Sequence, residues 1–218
     1  MSELRKRRTK IFQDVDLYPV TGQEYSCGRS TETIVQSILE AGCKIFQVRE
    51  KSLSKREYFQ LVKHIREITP PEVLMFCNDH LDVALAVGAD GVHLGQSDLP
   101  IRAARSLAPD LLIGASSHNM QEAIDAQKAG ADYVNIGPIF STKTKVGASE
   151  FLGPQAIAKI SSSIEIPFTV MGGIKRDNIH KVLKAGARRI AVVTAVTAAD
   201  DPRQAAEELR KMILDFGD

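Results

Sequence analysis

The sequence is short of cysteine, of net charge and of long apolar runs, and each shortage closes off a class of protein. Of 218 residues only three are cysteine, at Cys27, Cys43 and Cys77. The count is odd, the spacing wide and there is no CxxC, which argues against a disulfide framework and against a zinc site. Free thiols fit a reducing cytoplasm, and the apolar neighbours of Cys43 and Cys77 suit thiols that pack as small hydrophobes. A net charge of +1 provides no field to draw in nucleic acid or an anionic membrane. No stretch approaches the roughly 18 apolar residues of a spanning helix. The basic start "MSELRKRRTK" has no apolar segment behind it, so it is not a secretory signal. Residues 1–10 are expected as a flexible, solvated basic tail, with polyanion binding through "RKRR" as the alternative.

Linkers and low-complexity breaks are also missing, and what fills the chain is alternation. Runs of β type fall at 16–22, 44–50, 73–79, 90–95, 111–117, 132–137, 167–173 and 189–195, with helical patterns between them. "STETIVQSILEAG" opens on a Ser/Thr cap and stops at Gly42. "NMQEAIDAQKAG" stops at Gly130 and "DNIHKVLKAG" at Gly186. "VGAD" at 87–90, "AGAD" at 129–132 and "AGAR" at 185–188 each mark a helix that ends in glycine just before a new strand. Eight strands alternating with helices predict a (β/α)8 TIM barrel filling residues 11–218 as a single catalytic domain, closed by the helix "DPRQAAEELRKMILDF". An open doubly wound sheet is the alternative. Polar residues at nearly every strand end, rather than at one switch point, favour the barrel.

Barrels of this kind bind ligands at the C-terminal mouth, so the strand ends hold the candidate chemistry. The second strand carries Gln47, Arg49 and Lys51 on one face by the period-two rule, following Ile45 inward, while Phe46 and Val48 point to the helices. The third ends in Asn78 and Asp79, the fourth runs on to Asp98, and the fifth ends in Ser116, Ser117 and His118. The sixth leads into "GPIFSTKTK" with Thr142, Thr144 and Lys145, the seventh ends in Gly172 and Gly173, and the eighth in Val193 and Thr194. Arginine forks onto phosphate oxygens and lysine supplies a point charge. Two aspartates suit Mg²⁺, which is held by one or two carboxylates plus substrate phosphates. Glycines after strand seven and the backbone after strand eight suit a phosphate. Two anionic sites follow, one with a metal around strands two to five, the other at strands seven and eight.

The motifs "QVREK", "CNDHLDVALAVGADGVHLGQSD", "GASSHNMQEA", "ADYVNIGPIFSTKTK", "MGGI" and "AVVTAV", in this order at successive strand ends, resemble the thiamine-phosphate synthase (thiamine-phosphate pyrophosphorylase) family over nearly the whole chain. The resemblance implies a cytoplasmic transferase of thiamine biosynthesis. It would join the methylene of 4-amino-2-methyl-5-hydroxymethylpyrimidine diphosphate to the nitrogen of 4-methyl-5-(2-hydroxyethyl)thiazole phosphate and release pyrophosphate. It implies that Gln47, Arg49 and Lys51 grip the diphosphate, with Asn78 in the same pocket and Ser116 and Lys145 as further contacts. It implies Mg²⁺ on Asp79 and Asp98, and thiazole phosphate on Thr142, Thr144, Gly173, Val193 and Thr194. Arg49, Lys51, Lys145 and Ser116 are the implied catalytic groups. Ser141, where proline is usual, Met171 before the glycine pair and Thr194 in place of serine depart from the family pattern without removing a charge or a metal ligand.

Other readings stand beside these. Arg49 and Lys51 could pair with Glu50 or a helix carboxylate. Asp79 could cap the helix beginning "HLDVAL", and Asp98 the turn before "LPIRAARSL". Glu50, on the opposite face from Arg49, is expected to orient a neighbouring cation. His93 is expected to line the barrel as a packed, hydrogen-bonded residue. His118 matches a position at which a related thiazole tautomerase uses histidine, but that branch tends to lose the Asn-Asp pair, the aspartate of "GQSD" and the Thr-Lys-Thr-Lys loop. A non-catalytic phosphate-binding barrel would lack the two aspartates. The expected partners are the two small substrates, with no nucleic acid and no membrane, and a homo-oligomer is left open.

Overall fold

Residues 1–142 and 151–216 of the chain are described by the structure, a computed structural model. Eight strands lie within the predicted runs: β1 (Leu17–Pro19), β2 (Ile45–Val48), β3 (Leu74–Asn78), β4 (Gly91–Leu94), β5 (Leu112–Ser117), β6 (Tyr133–Ile136), β7 (Phe168–Val170) and β8 (Ile190–Val192). The helices are α1 (Glu3–Gln13), α2 (Thr31–Glu40), α3 (Lys55–Ile68), α4 (Leu81–Ala86), α5 (Ile101–Leu107), α6 (Met120–Ala129), α7 (Gln155–Ser161), α8 (Ile179–Lys184), α9 (Thr194–Thr197) and α10 (Pro202–Asp215). Neighbouring strands pair in parallel in the order β1-β8-β7-β6-β5-β4-β3-β2. A parallel bridge from Val20 to Gln47, with the Thr21 amide donating to the Gln47 carbonyl at 2.9 Å, brings the two ends together. The sheet is therefore a nearly closed barrel and not an open, doubly wound one.

Helix boundaries follow local chemistry. The Ser30 hydroxyl accepts from the Thr33 amide at the start of α2, and Ser54 and Glu57 form a capping box on α3. Asp201 caps α10, with Pro202 in its first turn. α6 ends on Gly130 in the left-handed conformation, as its sequence predicts.

Alternation along each strand builds two cores. Phe46, Val48, Met75, Cys77, Val92 and Ile113 pack outward against the helices. Tyr18, Ile45, Leu74, Phe76, Leu112 and Tyr133 fill the barrel interior. Burial pushes the Cys43 and Cys77 thiols up to about 12, as expected of thiols that serve as packing. Inside, large residues face glycines across strand pairs: Phe76 is registered with Gly91, and Tyr133 with Gly114. A Cβ on Gly114 would overlap the Tyr133 ring, so this glycine makes room for an aromatic at the barrel axis.

The N-terminal stretch corrects the expected solvated tail. Residues 3–13 form α1, capped by Ser2, and Arg8 and Phe12 are buried. Phe12 stacks on Tyr133 at 4.6 Å between ring centroids and so closes the floor of the barrel. The arginines meet the aspartates of the "GAD" repeats. Arg5 pairs with Asp132 at 2.7 Å and Arg8 with Asp90 at 3.1 Å. The same carboxylates accept from backbone at the strand starts, Asp90 from the Met75 amide at 3.0 Å and Asp132 from the Ile113 amide at 2.7 Å. Three arginines and two lysines in ten residues read as a solvated run, because sequence alone does not show that the barrel floor offers paired carboxylates. Arg8 also donates to the carbonyls of Asp110 and Ala89 at 2.9 and 3.1 Å. Arg8→Ala should therefore lower stability by about 2 kcal/mol, the worth of one charge-assisted bond and its neighbours, measured by urea unfolding followed by circular dichroism. A loss below about 0.5 kcal/mol, the range of ordinary surface changes, would show α1 to be dispensable.

Candidate active site

A cavity of about 350 Å³ opens at the C-terminal ends of the strands. Gln47, Arg49, Lys51, Asn78, Asp79, Asp98, Ser116, Thr142 and Val193 line it, so the structure brings together most of the residues singled out by sequence. Gly173 and Thr194 are not among its lining. Gly172 takes part instead, and Thr194 faces a separate hollow beside α10. Thr144 and Lys145 lie outside the described residues.

β2 delivers the cations as its pleat requires. Ile45 and Gln47 are buried toward the axis, and Arg49 and Lys51 continue the same face into the cavity. The cation gradient along this edge follows from the strand rise alone. Among the described residues no carboxylate pairs with Arg49, while Lys51 pairs with Asp79, a carboxylate of the cavity itself. Glu50 does not orient a cation. It is buried and accepts from the Thr21 and Thr31 hydroxyls at 2.8 and 2.7 Å and from the Gln23 amide at 2.8 Å. Thr21 in turn accepts from the Arg49 amide at 3.0 Å. Glu50 thus stitches the β1–β2 seam and, through Thr21, fixes the backbone that carries Arg49.

Asp79 does not cap α4. His80 occupies the cap position without a side-chain bond, and Asp79 sits at φ +58°, a left-handed conformation that aspartate tolerates better than most residues. That turn sends its carboxyl into the cavity beside Asp98. Asp98 accepts from the Gly95 amide at 2.7 Å. Partial burial and the neighbouring Asp79 carboxyl raise the Asp98 pKa above the ordinary carboxylate value, against the Gly95 bond and Lys51, which lower it. Two carboxylates crowding one another are hard oxygen donors, and a divalent cation between them would relieve their repulsion. The residues present fit Mg²⁺, although among the described residues no group of three or more potential ligands gathers.

The cavity wall also holds groups that the strand-end reading passed over: Tyr18, Gln96, Asn135, Pro138 and Thr169. The period-two rule reaches several of them, since Tyr18 precedes Val20 by two and Tyr133, Asn135 and Gly137 share one face. Asn135 accepts from Thr169 at 2.8 Å, and Gln96 donates to the Ser116 carbonyl at 2.5 Å. His93 lines the barrel as expected, bonded to Tyr133 and Ser116 at 3.0 Å each. His118 faces the cavity and lies 2.8 Å from Glu122. At the far wall Gly172, at φ +108°, lets the loops after β6 and β7 pack closely, since a Cβ there would stand 2.6 Å from Pro138.

A (β/α)8 barrel whose mouth carries two cations, two adjoining carboxylates and a hydroxyl around one cavity belongs among the enzymes that handle phosphorylated ligands. The family model of thiamine monophosphate synthase matches residues 17–196. The chain is 41% identical over 212 residues to the thiamine-phosphate synthase of Pelotomaculum thermopropionicum, covering 96% of this chain and 97% of that one. It is 46% identical over 180 residues to the thiamine-phosphate synthase of Pyrococcus furiosus, covering 82% and 86%. The solved structure of thiamine phosphate pyrophosphorylase from Pyrococcus furiosus superimposes with a TM-score of 0.86 at 39% identity, covering 97% of this chain and 98% of that one. The chain belongs to the thiamine monophosphate synthase family and is a transferase. Among the described residues no helix is long and apolar enough to cross a membrane.

Proposed function

We propose that the cavity condenses hydroxymethylpyrimidine diphosphate with thiazole phosphate to give thiamine phosphate and pyrophosphate. The observation that carries this reading is the convergence of Arg49, Lys51, Asp79, Asp98 and Ser116 on one cavity in a chain of this family. Arg49 forks onto diphosphate oxygens, Lys51 adds a point charge beside Asp79, and Ser116 hydrogen-bonds the same group. Asn78 completes that pocket and Gln47 lies beneath it. Lys145 adds a further cation, and Thr142, Thr144 and Val193 hold the thiazole phosphate, with Gly172 at the cavity wall in place of Gly173 and Thr194. Asp79 and Asp98 would hold Mg²⁺, which when bound supplies charge neutralisation for a departing diphosphate.

The chemistry needs little else. The methylene C–O bond breaks with its electron pair going to the diphosphate, and the electron-rich aminopyrimidine carries the positive charge left behind. The thiazole nitrogen then forms the new bond with its own lone pair, so no enzyme base is required to activate it. The residues act by positioning both reactants and by meeting the charge that develops on the leaving group. The free thiols Cys27, Cys43 and Cys77 fit a cytoplasmic setting for this step.

The direct test mixes the purified protein with both substrates and Mg²⁺ and looks for thiamine phosphate and pyrophosphate by mass spectrometry. Binding of both substrates without product would overturn the reading. The metal assignment has its own test. Because Asp98 holds its proton more tightly in the folded protein, metal-free stability falls as pH rises from the ordinary carboxylate value through the raised one. Asp98→Asn should remove that fall and leave the metal-free thermal midpoint at neutral pH at or above that of the unsubstituted protein. Added Mg²⁺ should raise the midpoint of the unsubstituted protein and not of the variant, and turnover should drop about a hundredfold. An equal rise with Mg²⁺ in both proteins would place the metal elsewhere.

A further inference from the structure

We propose that Tyr133 is a positioning residue that, acting through His93, holds the Ser116 hydroxyl as a hydrogen-bond donor toward the cavity. The proposal deepens, and rests on, the reading of this cavity as a diphosphate site. Five side chains form a continuous line from the barrel axis to its mouth. The Gln47 amide donates to the Tyr18 hydroxyl at 3.1 Å, and the Tyr18 and Tyr133 hydroxyls are 3.1 Å apart. Tyr133 lies 3.0 Å from His93 Nδ1, and His93 Nε2 lies 3.0 Å from Ser116 Oγ.

Proton counting gives this line a direction. Both tyrosines are buried, and burial holds their hydroxyls in the protonated form. Each has one proton to place. The Gln47 N–H already points at Tyr18, so the Tyr18 proton goes to the Tyr133 oxygen. The Tyr133 proton then goes to His93 Nδ1. A ring nitrogen that accepts carries no proton, so the neutral imidazole bears its proton on Nε2 and donates to Ser116 Oγ. The Ser116 proton is thereby turned away from His93 and toward the cavity, where a phosphate oxygen can accept it. In the reverse direction Ser116 would donate to Nε2 and show only lone pairs to an anion. The Tyr18 proton would meet the Gln47 N–H, leaving a buried hydroxyl without an acceptor. The line is built into the fold from its floor. Tyr133 stands at the axis because its strand partner is Gly114, and Phe12 packs against its ring.

The test combines ring-nitrogen NMR of histidine-labelled protein with steady-state kinetics. The His93 signal, assigned by its loss in His93→Gln, should report the proton on Nε2, and Tyr133→Phe should move it toward the Nδ1–H form. Tyr133→Phe should lower kcat about tenfold, roughly the worth of one hydrogen bond, with KM for both substrates unchanged within about twofold. The double variant Tyr133→Phe/Ser116→Ala should be no slower than Ser116→Ala alone, because the two losses are one loss. An Nδ1–H ring in the unsubstituted protein, an unchanged ring in Tyr133→Phe, or additive losses in the double variant would each overturn the proposal. Should Tyr133→Phe not fold, Tyr18→Phe removes only the upstream donor. The Nδ1–H form should then appear beside the other, and its absence would overturn the proposal. The NMR measurement needs no turnover, so a protein that makes no thiamine phosphate would sink the functional reading and leave the hydrogen-bond line to be judged by itself.

Discussion

Arg49→Ala should lower turnover by about two to three orders of magnitude, the usual loss when one preorganised group facing developing charge is removed. The expectation rests on where Arg49 stands. It follows β2 into the cavity, its backbone is fixed through Thr21, and among the described residues no carboxylate takes its charge. An arginine spent on a structural ion pair would cost stability when removed, and this one should cost almost none. The thermal midpoint of Arg49→Ala should lie within about a degree or two of the parent, as for a change within about 0.5 kcal/mol. Arg49→Lys should fall between the two, since lysine restores the charge without the planar fork. The measurement is kcat and KM for the diphosphate substrate, with pyrophosphate release as the signal. A near-parental rate in Arg49→Ala would mean that the diphosphate lies elsewhere in the cavity.

Glu50→Ala should destabilise the protein by about 3–5 kcal/mol. The substitution strands three donors at once, the Thr21 and Thr31 hydroxyls and the Gln23 amide, and each buried group without a partner costs about 1–3 kcal/mol. The location makes the loss worse. β1 and β2 meet through the Val20–Gln47 bridge and its flanking bond, so this seam has less ladder than the β2–β3 pair on its other side. Urea unfolding followed by circular dichroism reads the effect. A change below about 1 kcal/mol, far under the worth of three stranded donors, would mean that water replaces the carboxylate. Glu50→Gln keeps one acceptor oxygen and should lose less. Because Thr21 also accepts from the Arg49 amide, Glu50→Gln should lower kcat as well, tying the seam to the catalytic strand.

Much of this was legible in the order of residues, and the reasons are local. Period-two alternation separated Ile45, Gln47, Arg49 and Lys51 from Phe46 and Val48, and the structure keeps that division between the interior and the outer shell. The helix end at Gly130 and the start at Ser30 were written in capping chemistry. Polar groups at strand ends pointed to the mouth because a parallel barrel collects those ends on one face.

Other assignments depended on partners distant in sequence. Glu50 looked like a helper of a neighbouring cation until its hydrogen-bond donors, from Thr21 to Thr31, were brought around it. The arginines of α1 looked solvated until Asp90 and Asp132, more than 80 residues away, met them at the barrel floor. Asp79 had two readings by sequence, cap or cavity ligand, and its left-handed backbone sends it to the cavity. The sequence by itself determined the strands, their faces and the set of charged groups at the mouth, because these follow from periodicity and capping within a few residues. Only the tertiary structure decided which carboxylate meets which cation and which buried hydroxyls stand next to one another. Those depend on burial and on contacts between strands, which no local pattern encodes.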